Sequence, residues 1–137
     1  MTVLKPIIIV DDNHEDLFIL KRLLTRAGVK NGFVSFDHAE EAMRFLEAAM
    51  RVPETNLIPA VIFSDKRMPG HDGFAFLKWV REQPALAMLP FFLLTSVADP
   101  KDEERAVKLG VTRFMEKFPP ENVFSEIFGT QYDKFHS

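Results

Sequence analysis

The feature that most constrains this chain is a fivefold alternation of short apolar runs with longer amphipathic segments. Ile7-Ile8-Ile9-Val10 is a continuous apolar run ending at Asp11, the pattern of a strand covered on both faces. The next segment sets Leu17, Leu20, Leu24 and Ala27 on one helical face, and Gly28 can end that helix. Residues 33–36 read as a second strand. Asp37 and Glu40 have the spacing of a capping box, and Ala39, Ala42, Met43, Leu46 and Met50 continue as a helical stripe. A loop over 51–59 leads to a third strand at 60–64. Pro69, Gly70, Asp72 and Gly73 form a turn into a third helix that runs to about Gln83. Pro90 opens a fourth strand at 91–94. Asp99-Pro100 supplies an N-cap and a first helical residue, followed by acids at 102–104 that suit a helix N-terminus. Gly110 ends that helix, 111–115 reads as the fifth strand, and Pro119-Pro120 starts a last helix with Val123, Phe124 and Ile127 inward.

Alternation of this kind predicts an α/β fold, a doubly wound five-stranded parallel sheet with helices on both faces. With five units the flavodoxin-like strand order 2-1-3-4-5 fits best. The 137 residues suit one domain over 1–137, with a core of about 5–128 and a short mixed tail at 129–137. A hydrophobic fraction of 47% is enough for a packed core. The net charge of −3 comes from interspersed signs and leaves no basic stripe for nucleic acid. Absence of cysteine removes disulfides and thiolate metal sites from consideration. No apolar stretch approaches the ~18 residues of a membrane helix, and 7–10 is too short for a signal peptide. The expectation is a soluble, cytoplasmic chain.

In such sheets ligands bind beyond the carboxyl ends of the strands, near the point where strand order reverses. Strand one delivers Asp11 and Asp12 there, strand three Asp65, strand four Thr95 with Ser96 behind it, and strand five Lys117. Two carboxylates ~5 Å apart at an effective dielectric of ~20 repel by roughly 3 kcal/mol, so the group calls for a cation. All-oxygen ligands favour a hard one such as Mg²⁺. The Lys117 ammonium can balance the charge of a phosphoryl group, Thr95 can donate a hydroxyl to it, and Asp65 can act as nucleophile by forming an acyl phosphate.

These residues resemble the receiver domain of two-component response regulators. The likeness runs from about Lys5 to Phe128. It rests on Ile8-Ile9-Val10-Asp11-Asp12-Asn13, on Ser64-Asp65-Lys66-Arg67-Met68-Pro69-Gly70-His71-Asp72-Gly73-Phe74, on Leu94-Thr95-Ser96, and on Phe114-Met115-Glu116-Lys117. The resemblance implies a signalling switch. Asp65 would take a phosphoryl group from a phosphohistidine on a sensor histidine kinase. Asp12, Asp65 and the backbone carbonyl of Arg67 would ligate Mg²⁺ directly, with Asp11 acting through water. Thr95 and Lys117 would hold the phosphoryl group, and Thr95 and Phe114 would shift together to repack the surface of helix four, strand five and helix five. That surface would meet a downstream protein target. Beyond this self-phosphotransfer and autodephosphorylation, no enzymatic activity is implied.

Family members usually carry Pro directly after the Lys, often through a cis bond; here Phe118 intervenes. A cis bond before Phe costs ~2.5–4 kcal/mol, so a reorganised turn with altered reach for Lys117 is expected. The Arg67 side chain would overhang the phosphoryl site. No effector domain follows, which suggests a stand-alone regulator. The long loop after the second helix and the run Thr95-Ser96 to Asp99-Pro100-Lys101-Asp102 are similar to the regulators that serve bacterial phytochrome kinases.

Two other readings remain open. One is a receiver-like module that binds partners without phosphorylation. The other is a phosphatase of the haloacid-dehalogenase type, although Asn13 stands where that family needs a second Asp and only isolated acids follow Lys117. His14, His38, His71 and His136 lack metal-ligand spacing and read as surface residues. Phe114, Phe118, Phe124, Phe128 and Phe135 crowd the final quarter, either as core or as an apolar patch for a homodimer or for partner docking.

Overall fold

Ile7–Val10 forms β1, and all four of its side chains are buried, as a double-covered central strand requires. The computed structural model describes residues 4–55, 57–67, 70 and 72–130 of the chain. The strands are completed by β2 (Phe33–Phe36), β3 (Val61–Asp65), β4 (Phe91–Thr95) and β5 (Arg113–Glu116). They alternate with α1 (His14–Arg26), α2 (Ala39–Arg51), α3 (Gly73–Glu82), α4 (Pro100–Lys108) and α5 (Glu121–Thr130). Every strand pairing is parallel and the sheet order is β2-β1-β3-β4-β5, the expected doubly wound flavodoxin-like arrangement. The order reverses at β1, with β2 on one side and β3 on the other.

Successive strand residues point to opposite faces, so each strand feeds two cores. Ile7, Ile9, Phe63, Phe92 and Leu94 pack with Leu17, Leu20 and Leu24 of α1 and with Phe124, Ile127 and Phe128 of α5. Ile8, Val10, Ile62, Phe91 and Leu93 pack with α2, α3 and α4 on the other face. The Phe63 ring meets those of Phe92, Phe124 and Phe128, so Phe124 and Phe128 belong to the core; Phe118 is half-buried against this core and Phe114 against the one on the other face. Among the described residues the crowded phenylalanines of the final quarter therefore form no exposed patch; Phe135 lies outside them.

Several boundaries differ from the expectation for identifiable reasons. The capping box at Asp37 does not form: the N-cap of α2 is His38, without a side-chain cap bond, and the Asp37 carboxylate accepts from His14 Nε2 at 3.0 Å. β5 begins at Arg113 rather than at 111, because Val111 N–H closes the end of α4 on the Ala106 carbonyl. Thr112 joins the start of β4 through both its backbone and its hydroxyl. Gly129, expected to open the tail, still lies within α5. The rest of the tail, 131–137, lies outside the described residues. The glycine stops behave as read: Gly28 and Gly110 take φ of 97° and 91°, a region that favours glycine at a helix end. Asp99 caps α4 by accepting from Lys101 N–H, and Asp72 caps α3 by accepting from Ala75 N–H.

Candidate functional site

The parallel register brings the chemistry to one edge. Asp65 is the last residue of β3 and lies opposite Leu94, while Thr95 ends β4 opposite Glu116. Backbone bonds continue the ladder past the strand ends: Lys66 N–H donates to Leu94 O and Lys117 N–H to Thr95 O, both at 2.7 Å. On the other side Asp11 N–H donates to Phe36 O. Asp11, Asp65, Thr95 and Lys117 thus leave four adjacent strands at the same end of the sheet. Gly73 packs so closely beneath that an added Cβ would overlap the Asp65 carbonyl oxygen, so only glycine lets α3 start there.

Asp11, Asp12 and Asp65 each present a carboxylate oxygen, and these lie within 4.8 Å of one another. Asp11 is buried, Asp65 is partly buried and Asp12 is exposed. Opposite them the Lys117 ammonium donates to Asp11 Oδ2 at 2.6 Å and to Asp16 Oδ2 at 2.9 Å, and forms an ion pair with Asp65 Oδ1 at 2.9 Å. The Lys117–Phe118 peptide bond is cis. The altered reach expected for Lys117 is not found: its ammonium lies against three carboxylates.

Burial pushes the Asp11 and Asp65 carboxyls above the ordinary carboxylate range, and bonding to Lys117 offsets this only in part. For Lys117, burial alone would lower the pKa, but its bonds to Asp11, Asp16 and Asp65 outweigh that and raise it, so the ammonium stays charged. An excess of anionic groups around one ammonium, offering oxygen donors alone, fits a hard divalent cation. Asp11, Asp12 and Asp65 are the described residues placed to hold it.

Beside the acids, Asp65, Lys66, Arg67, Thr95, Ser96 and Val97 line a hollow of about 440 Å³. Arg67 is exposed at its rim. The buried Thr95 hydroxyl donates to Val97 O at 2.9 Å and accepts from Val97 N–H at 3.2 Å, so it rests in a local turn. Phe114 is half-buried against the core of α2, α3 and α4.

Two residues escaped the sequence reading. Asp16 looks in sequence like a first-turn acid of α1, one of two with Glu15; only the fold aims it at Lys117. Lys66 is buried directly after Asp65 and pairs with Asp102 of α4 at 2.6 Å, across a sequence separation of 36. No local signal marks that pair.

Comparison with known proteins agrees with this geometry. The protein described as "Probable chemotaxis protein CheY" from Rhizobium etli is 30% identical over 111 residues, covering 81% of this chain and 79% of that protein. The chain also matches longer transcriptional regulators, spanning 47% of GltR from Pseudomonas aeruginosa and 21% of NtrC from Klebsiella pneumoniae. Among solved structures, the receiver domain of a signal transduction histidine kinase from Syntrophus aciditrophicus is 29% identical, with a TM-score of 0.76 over 94% of this chain and 90% of that one. The bacteriophytochrome response regulator AtBRR is 28% identical, with a TM-score of 0.76 over 96% of this chain and 92% of that one. The family model described as "Response regulator receiver domain" matches residues 7–127, and by that match the chain belongs to the response regulator receiver family.

Proposed function

We propose that this chain is a phosphorylation-operated signalling switch whose acceptor is Asp65. The observation that carries the reading is the position of the Asp65 carboxylate, shared between the acid triad and the Lys117 ammonium at 2.9 Å. An Asp65 oxygen attacks the phosphorus of a phosphohistidine on a sensor histidine kinase. The P–N bond breaks and the imidazole leaves, taking up a proton. Later attack by water at phosphorus breaks the P–O bond of the acyl phosphate and returns the carboxylate and inorganic phosphate.

Asp12, Asp65 and the Arg67 carbonyl would hold Mg²⁺, with Asp11 acting through water; the ion supplies charge neutralisation to the phosphoryl oxygens. Lys117 adds a second positive charge. The Thr95 hydroxyl, which lines the same hollow as Asp65, exchanges its Val97 partner for a phosphoryl oxygen. That movement lets Phe114 repack and biases the face built by α4, β5 and α5 toward its protein target. Likeness to AtBRR, a bacteriophytochrome regulator, supports a bacterial phytochrome as the kinase. We place the switch in the cytoplasm, as one domain.

Incubation with acetyl phosphate and Mg²⁺ tests this by mass shift. Base-labile label on the wild type, lost in Asp65→Asn and reduced in Asp11→Asn, is the expected result. Absence of label at every Mg²⁺ concentration would leave a binding module without phosphorylation. Label on Asp11 with turnover of phosphoesters would point to a phosphatase.

A further inference from the structure

Lys117 has three N–H donors; it donates to Asp11 and Asp16, and its ammonium is ion-paired with Asp65. To donate to a phosphoryl oxygen on Asp65, the ammonium must turn a donor toward it while something else keeps the group in place. Two of its partners, Asp11 and Asp65, have a second claim on them, because both belong to the acid triad. Asp16 is the partner outside that triad.

Asp16 is also well placed to anchor. It sits in the first turn of α1, its own N–H donates to Asn13 Oδ1 at 3.0 Å, and Asn13 N–H donates to Asp11 Oδ1 at 2.9 Å. That chain of bonds ties the helix start to the end of β1, so the carboxylate is fixed relative to the acids rather than carried on a loop. A plainer role for Asp16 is to complement the dipole of α1, but exposed Glu15 in the same turn can do that without approaching Lys117.

We propose that Asp16 is a positioning residue that holds the Lys117 ammonium over Asp65 when Asp11 and Asp65 are committed to a cation and a phosphoryl group. The long, flexible lysine stem gives little intrinsic direction to its charge, so a fixed carboxylate beside it decides where the free donor points. The proposal rests on Asp65 being the phosphoryl acceptor, and its test has one arm that does not.

In the first arm, ¹⁵N NMR reads the Lys117 ammonium in unphosphorylated, Mg²⁺-loaded protein. A slowly exchanging signal is expected in the wild type, and it broadens away in Asp16→Ala. In the second arm, acetyl phosphate labels Asp65 at saturating Mg²⁺. Asp16→Ala slows labelling about tenfold, short of the ~10²-fold that a 1 Å misplacement can cost. The near-isosteric Asp16→Asn keeps an acceptor oxygen without the charge and loses about threefold, since a neutral bond is roughly half as strong. In a Lys117→Ala background, Asp16→Ala slows labelling no further. An ammonium signal indifferent to Asp16→Ala, or an equal slowing with and without Lys117, overturns the proposal. A wild type that takes no label overturns the acceptor assignment instead, and the NMR arm still reports on Asp16.

Discussion

At Asp65 the opposing forces can be weighed. Its side chain is 12% exposed, and the carboxyl is raised above the ordinary range mainly by burial, with Lys117 offsetting part of the cost. A raised carboxyl binds protons more readily in the folded than in the unfolded state. Stability is therefore lost as pH rises from the ordinary carboxylate range through the raised value, and the ionised group is a burden at neutral pH. Asp65→Asn removes that burden and leaves Lys117 two carboxylate partners, Asp11 and Asp16. Without divalent cations at pH 7 it is expected to raise the thermal midpoint by about 2–5 °C, the shift that ~1 kcal/mol gives in a domain of this size. The gain should shrink in melts at acid pH, where the wild-type group protonates. A lower midpoint at pH 7 would mean that the attraction of Lys117 outweighs burial and repulsion.

At the scale of elements, an ion pair joins the β3–α3 turn to α4. Lys66 is 6% exposed and gives its ammonium to Asp102 at 2.6 Å. Removing the carboxylate leaves a buried charge without its partner, which costs ~3–5 kcal/mol where both groups are enclosed and less here, because Asp102 is partly exposed. Asp102→Asn is expected to lose about 1–3 kcal/mol in urea unfolding, with faster amide exchange concentrated in α4. Unchanged exchange there would show that the pair does not fasten the helix. Elements were legible in sequence where local chemistry sets them. Asp99-Pro100 starts α4 and Gly110 ends it because capping and left-handed backbone are local matters. The start of β5 was not, because Thr112 is drawn to Phe91, 21 positions away, and the capping of α2 was not, because Asp37 turns to His14.

For the whole molecule, the acidic edge makes folding and cation binding one problem. A cation that binds only the folded state stabilises it by ~2.7 kcal/mol at 100 times its dissociation constant. Mg²⁺ titration should raise the thermal midpoint of the wild type, and Asp12→Asn, which removes an exposed member of the triad, should largely abolish the rise. An equal rise in both would place the cation elsewhere. The alternation of strands and helices, the strand order and the identity of Asp11, Asp12, Asp65, Thr95 and Lys117 as edge residues follow from sequence alone, since apolar periodicity dictates what must be covered and parallel winding puts every strand end on one side. Tertiary structure decided the rest: that Lys117 reaches the acids across Phe118, that Asp16 joins them, and that Lys66 turns inward to Asp102. Those choices depend on charges brought together from distant parts of the chain, and such pairings leave no periodic trace in the residues between them.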